Sequence, residues 1–145
     1  IPGASNISKC YPPYKFAELT ALFDANFLVI WGNKEEKIMA NKIKELSNKV
    51  NICNQLQLED LMLLISKVDL VIGPDTGPTH IAWAMNIPSI TLFGPTPGYR
   101  NTYKTRINKI IESDSTVDPK KIDKNDKSIL SIEVQDILKL IDELL

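Results

Sequence analysis

The stretch Asp69–Arg100, DLVIGPDTGPTHIAWAMNIPSITLFGPTPGYR, limits what this chain can fold into more than any other. Its apolar run Leu70-Val71-Ile72 stops at Gly73, and a tight polar loop, Pro74-Asp75-Thr76-Gly77, follows. A short helix leads to a second apolar run, Ile90–Phe93, which stops at Gly94. Strand, glycine turn, helix and strand make one βαβ unit, and such units place parallel strands in a sheet buried on both faces.

The rest of the chain repeats that grammar. Phe27–Trp31 is an unbroken apolar run ending at Gly32, Val50–Cys53 reads as a short strand and Asn108–Ile111 as a last one. Helices are expected over Tyr14–Asp24, with Phe16, Leu19, Thr20 and Phe23 on one face, and over Leu58–Lys67. A third is expected over Lys34–Lys49, where Ile38, Met39, Ile43, Leu46 and then Val50 recur at helical spacing. Ser131 is placed to cap a final helix, Ile132–Leu145, with Val134, Ile137, Leu138, Ile141 and Leu144 on its apolar face. Pro2–Pro13 reads as loop, and Ser113–Lys127 as a polar loop or partly mobile segment. The expected fold class is α/β, a Rossmann-like doubly wound parallel sheet. In such a sheet the carboxyl ends of the strands form the ligand crevice, so Gly32–Glu36, Gly73–His80 and Gly94–Arg100 should converge on one ligand.

The chemistry concentrates at the start of the helix after Gly73. Pro78 suits the first helical position, with Gly77 as the cap. The N–H groups of Thr79 and His80 would then lack intrahelical partners at the positive end of the helix dipole. That arrangement receives anions, phosphate above all. The hydroxyls of Thr76 and Thr79 and the imidazole of His80 crowd the same end. The plainer alternative is that Asp75 and Thr76 only cap the helix and that His80 is a surface residue.

Bulk properties exclude several classes. The 145 residues are enough for one domain with a core, and 43% hydrophobic with 24% charged content marks a globular chain. A net charge of −1 gives no footprint for nucleic acid. No apolar run reaches membrane-spanning length, and no signal peptide is visible. Cys10 and Cys53 show neither metal spacing nor a disulfide framework, which fits a reduced cytosolic chain. His80 is the only histidine, so zinc chemistry has little to draw on and no metal is expected. With almost no strand ahead of the Pro2-Gly3 turn, the sequence also reads as a fragment of a larger protein.

Asp75-Thr76-Gly77-Pro78-Thr79-His80, followed by Phe93-Gly94-Pro95-Thr96, resembles the donor-binding half of glycosyltransferase family nine, the lipopolysaccharide heptosyltransferases. Two further elements agree in order: Pro2-Gly3-Ala4-Ser5 with Lys9-Cys10-Tyr11-Pro12, and Trp31-Gly32 with Glu35-Glu36. The resemblance runs from Pro2 to about Ile111. It implies the C-terminal, nucleotide-sugar-binding domain of a two-domain GT-B enzyme, with the N-terminal acceptor domain lying outside residues 1–145 and residues 128–145 as the C-terminal helix. In that fold the last helix often crosses back to the other domain, which would leave part of its apolar face exposed.

The implied donor is ADP-heptose and the implied acceptor of Kdo–lipid A type. Lys9-Cys10-Tyr11-Pro12 and Gly94-Pro95-Thr96-Pro97-Gly98 look closer to the branch that adds the first heptose. Carried over residue by residue, Ser5, Lys9, Thr76, Gly77, Pro78, Thr79 and His80 would bind the diphosphate. Asp75 would serve turn geometry and the donor sugar, Glu36 the ribose and Leu56 the adenine. The alternative for Lys9 is a solvated surface lysine; Glu36 is equally readable as a carboxylate favoured by the helix dipole, and Leu56 as ordinary packing. No role is carried over to Tyr99, Arg100 or Lys104. The general base belongs to the other domain, so this chain alone is expected to bind donor weakly and to transfer nothing. Association with the cytoplasmic face of a membrane would be peripheral. A non-catalytic nucleotide-binding module, or the donor domain of another GT-B enzyme, is the alternative.

Overall fold

The computed structural model describes residues 1–102, 104–115 and 123–145. Tyr103 and part of the expected Ser113–Lys127 loop, residues 116–122, lie outside the described residues. Among the described residues five parallel strands alternate with helices. The order is α1 (Pro13–Leu22), β1 (Phe27–Val29), α2 (Lys34–Leu46), β2 (Val50–Ile52), α3 (Leu58–Ile65), β3 (Val71–Pro74), α4 (Gly77–Ala84), β4 (Ser89–Phe93), α5 (Gly98–Asn101), β5 (Asn108–Glu112) and α6 (Val134–Leu144).

The α/β class and the parallel pairing agree with the sequence, but the sheet is split. β1 pairs with β2, Phe27 opposite Val50, while β3, β4 and β5 form a separate three-stranded sheet with Val71 opposite Ser89 and Ser89 opposite Asn108. Between β1 and β3 runs an apolar slot of about 510 Å³, with Leu28, Val29 and Ile30 on one wall and Leu70, Val71 and Ile72 on the other. The slot occupies the place that the first strand holds in a doubly wound half. β4 is buried at every position, as a central parallel strand should be.

Several boundaries differ from the sequence reading for local reasons. The apolar run Phe27–Trp31 pairs only as far as Val29; Trp31 instead turns its indole N–H to Cys53 O at 2.8 Å. β3 runs through Gly73 to Pro74, because Pro74 needs no ladder donor at a strand end. α2 buries Ala40 and Ile43, whereas Ile38 and Leu46, expected on its core face, are 62% and 60% exposed. Its amphipathic stripe is narrower than the count of apolar residues suggests. Pro2–Pro13 is not all loop: Ile7–Lys9 form a 3₁₀ turn capped by the Asn6 side chain, and this turn carries Lys9 into the interior.

The core lies where α1, α2 and α6 pack on the strands. Phe16, Leu19, Ala40, Ile43, Val50, Ile90, Leu92, Ile137 and Ile141 form one buried cluster. On the apolar face of α6, Val134, Ile137 and Ile141 are buried within this chain, while Leu138 and Leu144 are only partly buried. The exposed part of the face is thus confined to these two leucines. Two polar clamps hold this end in place. The Tyr11 hydroxyl donates to Ile132 O at 3.0 Å, and Lys15 Nζ donates to Leu130 O and Ile132 O at 2.8 and 2.7 Å.

Ser131 does not cap α6, which begins at Val134 with Glu133 as its N-cap. Ser131 closes a 3₁₀ turn, Ser128–Ser131, by donating to Ser128 O at 2.8 Å, and it is exposed. Ser131→Ala should therefore change the unfolding free energy by less than about 0.5 kcal/mol, below the ~1 kcal/mol of a lost N-cap. Urea denaturation reads the difference directly.

Candidate functional site

The site is built on α4, and its first turn differs from the expected one. Thr76, not Gly77, is the N-cap; Gly77 and Pro78 are the first two helical residues. Thr76 and Thr79 close a capping box. The Thr79 hydroxyl donates to Thr76 O at 2.7 Å and accepts the Thr76 N–H at 3.3 Å, with Pro74 O 3.1 Å away. The His80 N–H donates to Thr76 O at 3.2 Å. So the N–H groups of Thr79 and His80, expected to be free for an anion, are used within the turn. Thr79 is fully buried. Among the described residues no acceptor faces the Gly77 N–H, and a side chain at Gly77 would meet nothing within 4 Å, so this end of the helix is open at Gly77. At the far end Asn86 adopts a left-handed conformation, φ 58°, and Asn86 N–H and Ile87 N–H return to Trp83 O and Ala82 O. This Schellman-type stop makes α4 short and fixed at both ends.

Beside the turn, Asp75 gathers three donors. Lys9 Nζ lies 2.6 Å from Oδ2, Asn101 Nδ2 donates to the same oxygen at 2.9 Å, and His80 Nε2 lies 2.8 Å from Oδ1. Asp75 and Lys9 are both buried, so Lys9 is not a solvated surface lysine. Burial pushes the Asp75 carboxyl up, but the hydrogen bonds from Lys9, His80 and Asn101 and the charge of Lys9 outweigh it and hold it below the ordinary carboxylate value. The His80 ring stacks on Trp83, three residues on along the helix, at 4.6 Å between centroids and 15° between planes. With Nε2 turned to Asp75, the other ring nitrogen of the half-exposed imidazole has no hydrogen-bond partner among the described residues.

On the other side of Thr76 a cleft of about 230 Å³ opens, lined by Gly3, Trp31, Gly32, Glu36, Leu56, Thr76 and Pro78 among others. The structure thus brings Glu36 and Leu56 to the same space as Thr76 and Pro78. Glu36 is held in place: Oε2 accepts the Gly32 N–H at 2.6 Å and Oε1 accepts Asn33 Nδ2 at 3.0 Å. A carboxylate offers about four lone-pair directions, so acceptor capacity remains for hydroxyl groups. Gly3 lies against this side chain; a Cβ there would stand 2.2 Å from Glu36 Cγ. Ser5 is exposed and does not line the cleft.

Sequence reasoning missed Asn101 and the Trp83 stack. The i, i+3 spacing of His80 and Trp83 is a usable signal on a helix; an asparagine ending a one-turn helix carries none. Among the described residues no three His, Cys, Asp or Glu side chains gather as metal ligands, and no helix is long and apolar enough to cross a membrane.

The profile of glycosyltransferase family 9 (heptosyltransferase) matches residues 1–129. Lipopolysaccharide heptosyltransferase 1 of Campylobacter coli is 43% identical over 98% of this chain and 44% of its own length. Lipopolysaccharide heptosyltransferase 1 of Salmonella typhimurium is 31% identical over 66% of this chain and 31% of its own length. Among solved structures, E. coli heptosyltransferase WaaC with ADP superposes with a TM-score of 0.83 at 18% identity, over 100% of this chain and 43% of that one. A glycosyl transferase family 9 protein from Veillonella parvula gives 0.85 at 22% identity, over 99% of this chain and 44% of that one. The chain spans less than half the length of these relatives, and its α/β fold is that of the matching part of a GT-B enzyme. It belongs to glycosyltransferase family 9.

Proposed function

We propose that this chain is the nucleotide-sugar-binding domain of a lipopolysaccharide heptosyltransferase and that its donor is ADP-heptose. The observation that carries the reading is the pairing of two sites across one peptide. The Gly3–Glu36–Leu56 cleft lies on one side of Asp75-Thr76 and the Lys9–Asp75–His80 cluster on the other. The cleft suits a nucleoside, with an apolar side chain at Leu56 for a base and the oriented Glu36 carboxylate for ribose hydroxyls. The open Gly77 N–H, the Thr76 hydroxyl, Lys9 and the free ring nitrogen of His80 suit a diphosphate. Support comes also from the ADP-bound relative of the same fold and from the heptosyltransferase names of the relatives.

In the whole enzyme an acceptor hydroxyl, on a Kdo–lipid A type glycan, attacks the anomeric carbon as the bond to the ADP oxygen breaks, with inversion. Charge then develops on the leaving diphosphate, where oriented donors of this domain act most strongly. Lys9 keeps hydrogens for a phosphate oxygen while it holds Asp75, because an ammonium has three donors. Asp75 orients Lys9 and His80, and no proton is assigned to it. The base that deprotonates the acceptor lies in an N-terminal acceptor domain, through which any peripheral contact with a membrane surface is made. Ser5 and Thr79 are assigned no direct contact: the first stands off the cleft, and the second is consumed by the turn.

Calorimetric titration with ADP, ADP-heptose and UDP-GlcNAc tests the reading. Adenine-selective binding is expected, weakened about tenfold by His80→Ala, the loss of one charge-assisted contact. Preference for the uridine compound would assign the chain's donor to another nucleotide-sugar class.

A further inference from the structure

We propose that Asn101 is a positioning residue of the anion site, a neutral strut that sets the Asp75 carboxylate and, through it, the direction in which Lys9 offers its remaining hydrogens. The proposal deepens the nucleotide-sugar reading and rests on it for the identity of the ligand. Nothing in the family motifs points to this residue; the geometry does.

Asp75 is a buried carboxylate with three donors on two oxygens, and Lys9 and Asn101 share Oδ2 at 2.6 and 2.9 Å. An oxygen with one donor would leave the lysine free to swing about it. A second donor on the same oxygen occupies one lone-pair direction and confines Lys9 to the other. The charge of that second donor matters. A second cation there would compete with Lys9 for Asp75 and add a charge that the turn does not otherwise balance; the amide fixes the carboxylate without doing so. Among the described residues the groups bonded to Asp75 are one ammonium, one imidazole and one amide: Lys9, His80 and Asn101.

Asn101 is itself held. It ends α5, whose first residue, Gly98, donates its N–H to Glu112 Oε1 at 2.8 Å. Glu112 ends β5, so a strand end anchors α5, and α5 delivers the amide to the turn after β3. The segment following Gly94, expected to converge on the ligand, reaches the anion site through this side chain.

Two variants and two readouts test the proposal. Asn101→Ala should weaken ADP binding about fivefold, the size of one net hydrogen bond. Asn101→Asp places a second carboxyl beside Asp75. In its protonated form that group donates to Oδ2 as the amide does; ionised, it repels. The affinity ratio of Asn101→Asp to wild type should therefore lie near one at pH 5 and fall more than about tenfold by pH 8, where the pair has lost its shared proton. A residue that only packs would give the same ratio at every pH. The second readout needs no ligand: ¹³C NMR titration of the Asp75 carboxyl, assigned with Asp75→Asn, should show its midpoint rising in Asn101→Ala. If the wild type binds no ADP but the midpoint rises, the nucleotide reading fails and the positioning role stands. An unmoved midpoint, or a pH-independent affinity ratio, overturns the proposal.

Discussion

Lys9→Met should destabilise the folded domain by about 3 kcal/mol at neutral pH, the cost of leaving a buried charge without its partner. The two side chains are only 9% and 5% exposed, so solvent does little to screen the loss. His80 and Asn101 remain on Asp75 after the change, which places the expected value at the lower end for broken buried pairs. Removing both charges should cost less than removing one. Lys9→Met with Asp75→Asn is expected to recover at least half of the lost stability, and the double-mutant cycle isolates the coupling.

The pH dependence has a definite sign. In the native protein Asp75 sits below its ordinary value of 3.8, so its contribution is fully present above that value and is lost as pH falls through the lowered native one. Without Lys9 the carboxyl loses both the hydrogen bond and the charge that lower it and moves up, so the variant gives up that contribution wherever the unfolded chain is ionised. Urea unfolding should show the two proteins converging in strong acid and separating to the full difference above about pH 5. A gap that stayed constant across this range would mean that the ion pair contributes nothing specific.

Much of the frame could be read from residue order alone. Gly32, Gly73 and Gly94 each follow an apolar run, and period and punctuation are local properties, so the strand–turn–helix units appear close to where they were expected. The split between β1 and β3 falls where the first strand of a doubly wound half lies. The burial of Lys9 against Asp75 was not legible: a lysine in a Pro- and Gly-rich loop carries no sign of a partner 66 residues away. Pro78 misled differently. Proline is favoured at the first helical position and also fits the second, and the hydroxyl of Thr76 decides the cap over the glycine that follows it. Asn101 shows the limit of motif reading: its role comes from where α5 ends in space. Glu36, Leu56, Thr76 and Pro78, which sequence reasoning assigned to one donor, line one cleft.

Gly3→Ala should close that cleft from below, with a loss of more than about tenfold in ADP affinity. Gly3 is buried, and its position leaves no space for a methyl group: an added carbon would lie 2.2 Å from Glu36 Cγ and 2.5 Å from Glu36 Oε1. Glu36 must then leave its rotamer and give up the Gly32 N–H and Asn33 amide contacts, each worth about 0.5–1.5 kcal/mol net and less here because they face solvent. The fold should lose only about 1 kcal/mol, since the displaced group is a flexible side chain at the surface. Binding should suffer more, because the carboxylate proposed to meet the ribose no longer points into the cleft. The partner variant decides between a direct clash and a general disturbance. Glu36→Ala removes the obstacle, so Gly3→Ala added to it should cost almost nothing further in either stability or affinity. Additive losses in the double variant would show that Gly3 is required for some other approach of backbone to ligand, and that Glu36 is not what it accommodates.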